Sequence, residues 1–206
     1  MLKIVAKLIM WVMGWKVDYN LPEGVSPSVM IAAPHTSNWD FVYMRCAFEL
    51  LDLPCRYTVK KSFMTPPLGW LMGYLGAIPV DRSPKKPGDD RKSLVQAMAD
   101  LFENQDDRIV VVTPEGTRSL RTEWKSGYYH TAKLAGVPIT FGYLDYKKKI
   151  AGVAGIIHLT DDMDADMREI MKVYKPIAPK FPEKYSVDLR FDETIPASEE
   201  TDTASE

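Results

Sequence analysis

Along the chain, short unbroken apolar runs alternate with stretches in which apolar residues recur every three or four positions, a pattern that predicts strands interleaved with helices. The run at 29–33 reads as a buried strand ended by Pro34. Ser37 is a candidate N-cap for a helix over 38–52, with Phe41, Val42, Phe48 and Leu51 at helical spacing. Short β-rich segments follow at 57–59 and 77–80, and an amphipathic helix at 91–104 gathers Leu94, Val95, Met98, Leu101 and Phe102 on one side. A polar loop over 83–90 precedes that helix. Further on come a strand at 108–113, a helix at 127–135 stopped by Gly136, strands at 139–144 and 151–159, a helix at 163–174 and a last strand at 186–191. Strands alternating with helices of this length predict a single α/β domain: a largely parallel central sheet, helices on its flanks and ligand sites at strand ends.

Two apolar stretches stand outside that pattern. Residues 2–15 are apolar except for Lys3 and Lys7, four apart on one helical face, and two tryptophans and Lys16 complete the composition of an amphipathic helix lying in a membrane interface. A terminal helix docked on the protein's own core is the equal alternative. The stretch at 66–80 is too short and too rich in Gly and Pro to span a bilayer, which leaves it to line a groove or touch lipid. The expected organisation is an N-terminal amphipathic helix over 1–16, the main domain over 17–191 and an acidic, disordered tail over 192–206.

At 206 residues and 46% hydrophobic content, the chain suffices for one substantial core and is short for two. Its net charge is −2, but the tail holds six of the 28 acids and no base, so the body carries 26 basic against 22 acidic residues. A mildly basic body without a basic stripe and interleaved aromatics suits anionic small substrates or an anionic membrane surface and argues against nucleic acid. Cys46 and Cys55 lack metal-type spacing and read as buried free thiols in a reducing cytoplasm. No convincing signal peptide or membrane span is present, so membrane attachment is expected to be peripheral.

The candidate chemistry lies at strand ends. His35 and Asp40 are five positions apart, and on one continuous helix they would diverge by about 140°. They meet only if His35 precedes the helix and Asp40 occupies its first turn, where an imidazole and a carboxylate can take a proton from a weakly acidic hydroxyl. Ser37-x-x-Asp40 is equally a capping-box pattern, in which Asp40 serves the helix terminus alone. After the strand at 108–113 comes Pro114-Glu115-Gly116-Thr117-Arg118. Arg118 offers a bidentate fork for phosphate and Gly116 permits close backbone approach, although Pro-x-Gly is also a routine turn. Lys60, Lys61, Arg82 and Arg118 each follow a predicted strand, and a parallel sheet would bring them to one edge near His35. His130 and His158 have no partner at a suggestive spacing, and no metal cluster is evident.

Taken in order, Pro34-His35-x-x-x-x-Asp40, Gly76-Ala-Ile-Pro-Val-Asp-Arg82, Pro114-Glu-Gly-Thr-Arg118 and Val137-Pro-Ile139 resemble the four blocks of the glycerolipid acyltransferase family, which includes bacterial 1-acyl-sn-glycerol-3-phosphate acyltransferases. The stretches Lys60-Lys-Ser-Phe-Met-x-Pro-Pro-Leu-Gly-Trp70 and Trp124-Lys-Ser-Gly127 resemble it too, and the likeness covers about residues 29–145. The resemblance implies that His35 is a general base oriented by Asp40, that Lys60, Arg82 and Arg118 hold an acceptor phosphate, and that Glu115, Gly116 and Thr117 complete the substrate-binding set. It implies acyl transfer from acyl-CoA or an acyl-carrier protein to the hydroxyl of the lysophospholipid 1-acyl-sn-glycerol-3-phosphate, giving phosphatidic acid, on the cytoplasmic side of the cell membrane, with no bound cofactor. The chain departs from the family pattern at Pro34, where Asn is frequent, and at Thr113, where Phe is frequent, and both departures bear on the choice of acceptor. Glycerol 3-phosphate or another lysolipid as acceptor, thioester or lipid hydrolysis, and a non-catalytic membrane-surface role are the alternatives.

Overall fold

The computed structural model describes residues 1–61, 64–80, 92–103 and 108–193. Helix α1 (Leu2–Val12) leads to β1 (Lys16–Val17), then β2 (Ser28–Ala32), α2 (Trp39–Leu50), β3 (Cys55–Lys60), α3 (Leu68–Tyr74) and β4 (Ala77–Val80). The second half holds α4 (Leu94–Ala99), β5 (Ile109–Val112), α5 (Gly127–Ala135), β6 (Ile139–Asp145), β7 (Ile150–Ile157) and α6 (Met163–Tyr174). The seven strands form one sheet in the order β1-β7-β6-β2-β5-β3-β4. Every neighbouring pair is parallel except β6 and β7, joined by a hairpin.

The innermost strands are apolar without alternation, Ser-Val-Met-Ile-Ala in β2 and Ile-Val-Val-Val in β5, because both faces of a parallel sheet are covered. Val29 and Ile31 face a cluster with α5 and α6 that holds Tyr129, Ile170, Met171 and Tyr174. Met30 and Val111 face the other way, toward Phe48 of α2. Helix α1 packs antiparallel-wise along α2 through Ala6 and Met10, and Trp15 stacks on Tyr43 with ring centroids 4.5 Å apart.

Of the two readings of the N-terminal helix, the structure shows docking on the protein's own core. The inner side of α1 makes that contact, while Ile4, Val5, Leu8, Trp11 and Val12 remain exposed on the other. Among the described residues no helix is long and apolar enough to cross a membrane.

Several boundaries differ from expectation. The strand expected at 186–191 is an irregular cover with 3₁₀ turns at Pro182–Lys184 and Leu189–Phe191. Its alternating Val187, Leu189 and Phe191 imitate a strand, but the fully buried Asp188 between them accepts the Trp124 N–H at 3.0 Å and the Arg190 guanidinium, tying the segment to a loop instead of a strand partner. The helix expected at 91–104 becomes regular only at Leu94, after Ser93 caps the Gln96 N–H, and tightens to 3₁₀ over Asp100–Phe102. Helix α2 starts at Trp39 and ends at Leu50, and Asp52 has φ +56°, outside helical space. Cys46 is buried as expected but Cys55 is half-buried, and both are free. The acidic tail beyond Glu193, the loop over 83–90 and Arg82 lie outside the described residues.

Candidate active site

Parallel pairing brings the carboxyl ends of β2, β3, β5 and β6 to one edge of the sheet, the edge at which α/β folds hold ligands. Strand β2 delivers Ala33, Pro34 and His35 there, and Asp40 sits in the first turn of α2. The His35 Nδ1 lies 3.2 Å from Asp40 Oδ2. That oxygen also accepts the Thr36 and Ser37 N–H groups, each at 2.9 Å, and Ser37 Oγ accepts the Trp39 N–H at 3.2 Å. The N-cap is Asn38 instead of the expected Ser37, and no full capping box forms, since Ser37 Oγ turns to Trp39 and not to the Asp40 N–H. The Thr36 and Ser37 N–H groups nevertheless fix the carboxylate, and the fixed carboxylate stands beside the ring. With Nδ1 turned to Asp40, Nε2 is the nitrogen free to take a proton.

The other Asp40 oxygen accepts the Tyr146 hydroxyl at 2.5 Å. Tyr146 follows β6 directly and is 106 residues away in sequence. Burial, then the bond to Asp40, push its hydroxyl well above the ordinary phenol range, so it remains a donor.

Glu115 is placed differently from expectation. Its carboxylate oxygens stand 3.1 and 3.2 Å from the His35 backbone nitrogen, and only 4% of the residue is exposed. It braces the His35 loop from beneath instead of lining the cleft. Burial pushes its carboxyl up to about 8, the His35 N–H works against that rise and the Asp40 charge adds to it.

The cleft has a volume of about 750 Å³, within the ordinary range for small-molecule sites. His35, Asn38, Gly116, Thr117 and Arg118 form its polar end. Beyond them it runs between α2 and the sheet, walled by Phe41, Met44, Phe48 and Leu51 from α2 and by Tyr57, Val59, Met72 and Val111 opposite. The structure therefore brings His35, Asp40, Gly116, Thr117 and Arg118 to one cavity. Arg118 donates to Asn38 Oδ1 and forms no ion pair with a described residue, which leaves a guanidinium available to an anion. Gly116 takes φ +66°, and the Lys125 side chain crosses directly over it: a Cβ there would stand 3.1 Å from Nζ. Lys60 lies at the same sheet edge, opposite Val80 in the β3–β4 ladder, but its side chain lies outside the described residues.

Asn38, Lys125 and Tyr146 are the site residues that sequence reasoning did not assign. Lys125 belongs to a stretch read as family-like, yet only the fold shows it beside Gly116. The signal for Tyr146 is its position immediately after a strand, a weak one without the sheet order.

A family model described as Acyltransferase matches residues 16–140 of this chain. In fold the chain is similar to the crystal structure of PlsC, the 1-acyl-sn-glycerophosphate (LPA) acyltransferase from Thermotoga maritima, with a TM-score of 0.55 at 14% identity over 84% of this chain and 75% of that one. No curated protein matches the chain in sequence.

Proposed function

Because this chain belongs to the acyltransferase family, we propose that it moves a fatty acyl group from an acyl-CoA or acyl-carrier-protein thioester to the free hydroxyl of 1-acyl-sn-glycerol-3-phosphate, yielding phosphatidic acid. The observation that carries this reading is the His35–Asp40 pair, 3.2 Å apart, at the polar mouth of a cleft whose interior is apolar. Nε2 accepts the hydroxyl proton as the substrate oxygen attacks the thioester carbonyl, and Asp40 stabilises the imidazolium that forms. The tetrahedral adduct collapses with cleavage of the C–S bond, and the imidazolium returns its proton to the departing thiolate. The substrate is itself the nucleophile, so no acyl-enzyme forms.

The apolar length of the cleft suits an acyl chain, and Arg118 with Lys125 suits a phosphate on the acceptor. The exposed apolar side of α1, with Lys7 and Lys16 beside it, supports peripheral attachment to the cytoplasmic face of a membrane, where such acceptors reside. Labelled acyl-CoA and acyl-carrier protein offered with a panel of acceptors test the reading. The expected product is phosphatidic acid, with turnover reduced about 10²- to 10⁴-fold by His35→Ala in a folded protein. Acylation of glycerol 3-phosphate or of an uncharged lysolipid instead overturns the acceptor assignment, and free fatty acid as the sole product overturns transfer.

A further inference from the structure

The hydroxyl of Tyr146 occupies the one Asp40 oxygen that neither the helix cap nor His35 uses, at 2.5 Å. The phenol is itself held on three sides. Its ring meets Trp15 edge-on with centroids 4.9 Å apart and Tyr43 at 6.1 Å, and its backbone N–H donates to Ala178 O at 2.9 Å. Such a cage fixes the hydroxyl before any substrate arrives, and a donor fixed in advance gives up little freedom when charge moves across the pair.

We propose that Tyr146 is a positioning residue of the His35–Asp40 pair, locking the carboxylate in the orientation that keeps Nδ1 engaged and moderating the negative charge Asp40 presents to the ring. The proposal rests on the reading of His35 as the base. With its proton retained, the phenol spreads part of the carboxylate's charge, so losing it leaves a more strongly charged but less firmly held Asp40. The titratable and charged groups around this hydrogen bond are His35 from the loop after β2, Tyr43 from α2, Glu115 from the turn after β5, and Lys180, which lies over the Trp39 ring 5.6 Å from its centroid on the segment covering Tyr146.

Tyr146→Phe removes only the hydroxyl and leaves the ring between Trp15 and Tyr43, so the variant is expected to fold, which a thermal melt verifies. Steady-state kinetics on the whole chain with acyl-CoA and lysophosphatidic acid should show kcat reduced about tenfold, a fraction of what a general base contributes, with both KM values within about twofold of native. The acid limb of the kcat/KM profile should move to higher pH, by a few tenths to about one pH unit, because the unmoderated carboxylate favours the protonated ring. A change in packing alone would leave that limb in place. Native kcat with an unmoved limb overturns the proposal, and so does a fall in kcat with an unmoved limb. His35→Ala, assayed beside it, separates the two levels: full turnover in that variant overturns the base assignment itself, whereas an inactive His35→Ala with a native-like Tyr146→Phe overturns only the role of the tyrosine.

Discussion

Replacing Glu115 by Gln tests how the His35 loop is braced. In the folded chain burial lifts the Glu115 carboxyl to about 8 from an ordinary 4.5, a window about 3.5 pH units wide. Below that window both folded and unfolded chains hold the proton. Across it the unfolded chain releases the proton while the folded chain keeps it, so native stability falls as pH rises, and the loss is complete above about 8. At about 1.36 kcal/mol per unit the ceiling is about 5 kcal/mol, and relaxation of the buried surroundings reduces it to a few kcal/mol. An amide keeps an oxygen to accept the His35 N–H but carries no proton to lose. Urea unfolding of the native chain and of Glu115→Gln at half-unit steps from pH 4 to about 9 should give a stability difference that grows in favour of Gln between about 4.5 and 8 and then levels. Parallel curves would refute the argument, because they would show that Glu115 ionises in the folded chain as readily as in the unfolded one.

Arg118→Ala should raise the KM for a phosphorylated acceptor about 10- to 150-fold, the equivalent of one charge-assisted contact at about 1.5–3 kcal/mol, while leaving the donor KM unchanged; an unchanged acceptor KM would remove Arg118 from phosphate binding. Replacing Leu8 and Trp11, both exposed on α1, with Ser should weaken sedimentation with anionic vesicles at least tenfold without shifting the melting temperature by more than a few degrees. Retained vesicle binding would show that the outer face of α1 is not what meets lipid. Phe48→Ala, on the apolar wall of the cleft, should cost about 3–5 kcal/mol in stability by urea titration; a loss below 1 kcal/mol would mean that the helix closes on the sheet and the cleft is compressible.

The α/β architecture was legible because β2 and β5 carry unbroken apolar runs and Gly136 marks a helix end with φ +66°. The meeting of His35 and Asp40 was legible for a local reason: a strand end, a cap and the start of a helix lie within nine residues, 32–40, and the geometry of that turn leaves few alternatives. Tyr146 was not, since its approach depends on β6 pairing with β2, a contact between segments more than 100 residues apart that no local spacing encodes. Glu115 stands in the expected turn but faces the His35 loop instead of the cleft. A buried carboxylate beneath a loop and a ligand-facing one have the same sequence signature, and only the loop's position distinguishes them. The false strand at 186–191 has the period of a strand, and the buried Asp188 that overrides it finds its tertiary partner, Trp124, 64 residues upstream.

The two loops that hold His35 and Arg118 rise from β2 and β5, adjacent strands at the centre of the sheet, whereas β3 and β4 form its outer margin on that side. Neighbouring strands are tied at about 4.8 Å by their ladder, so the distance between His35 and Arg118 is inherited from the middle of the molecule. The margin, with α3 and Met72 against the far wall of the cleft, is free of that duty. Remodelling there can lengthen, shorten or redirect the apolar space, proposed above for a fatty chain, without moving His35 or Arg118, which gives a lineage of acyltransferases a way to change diet while keeping its chemistry.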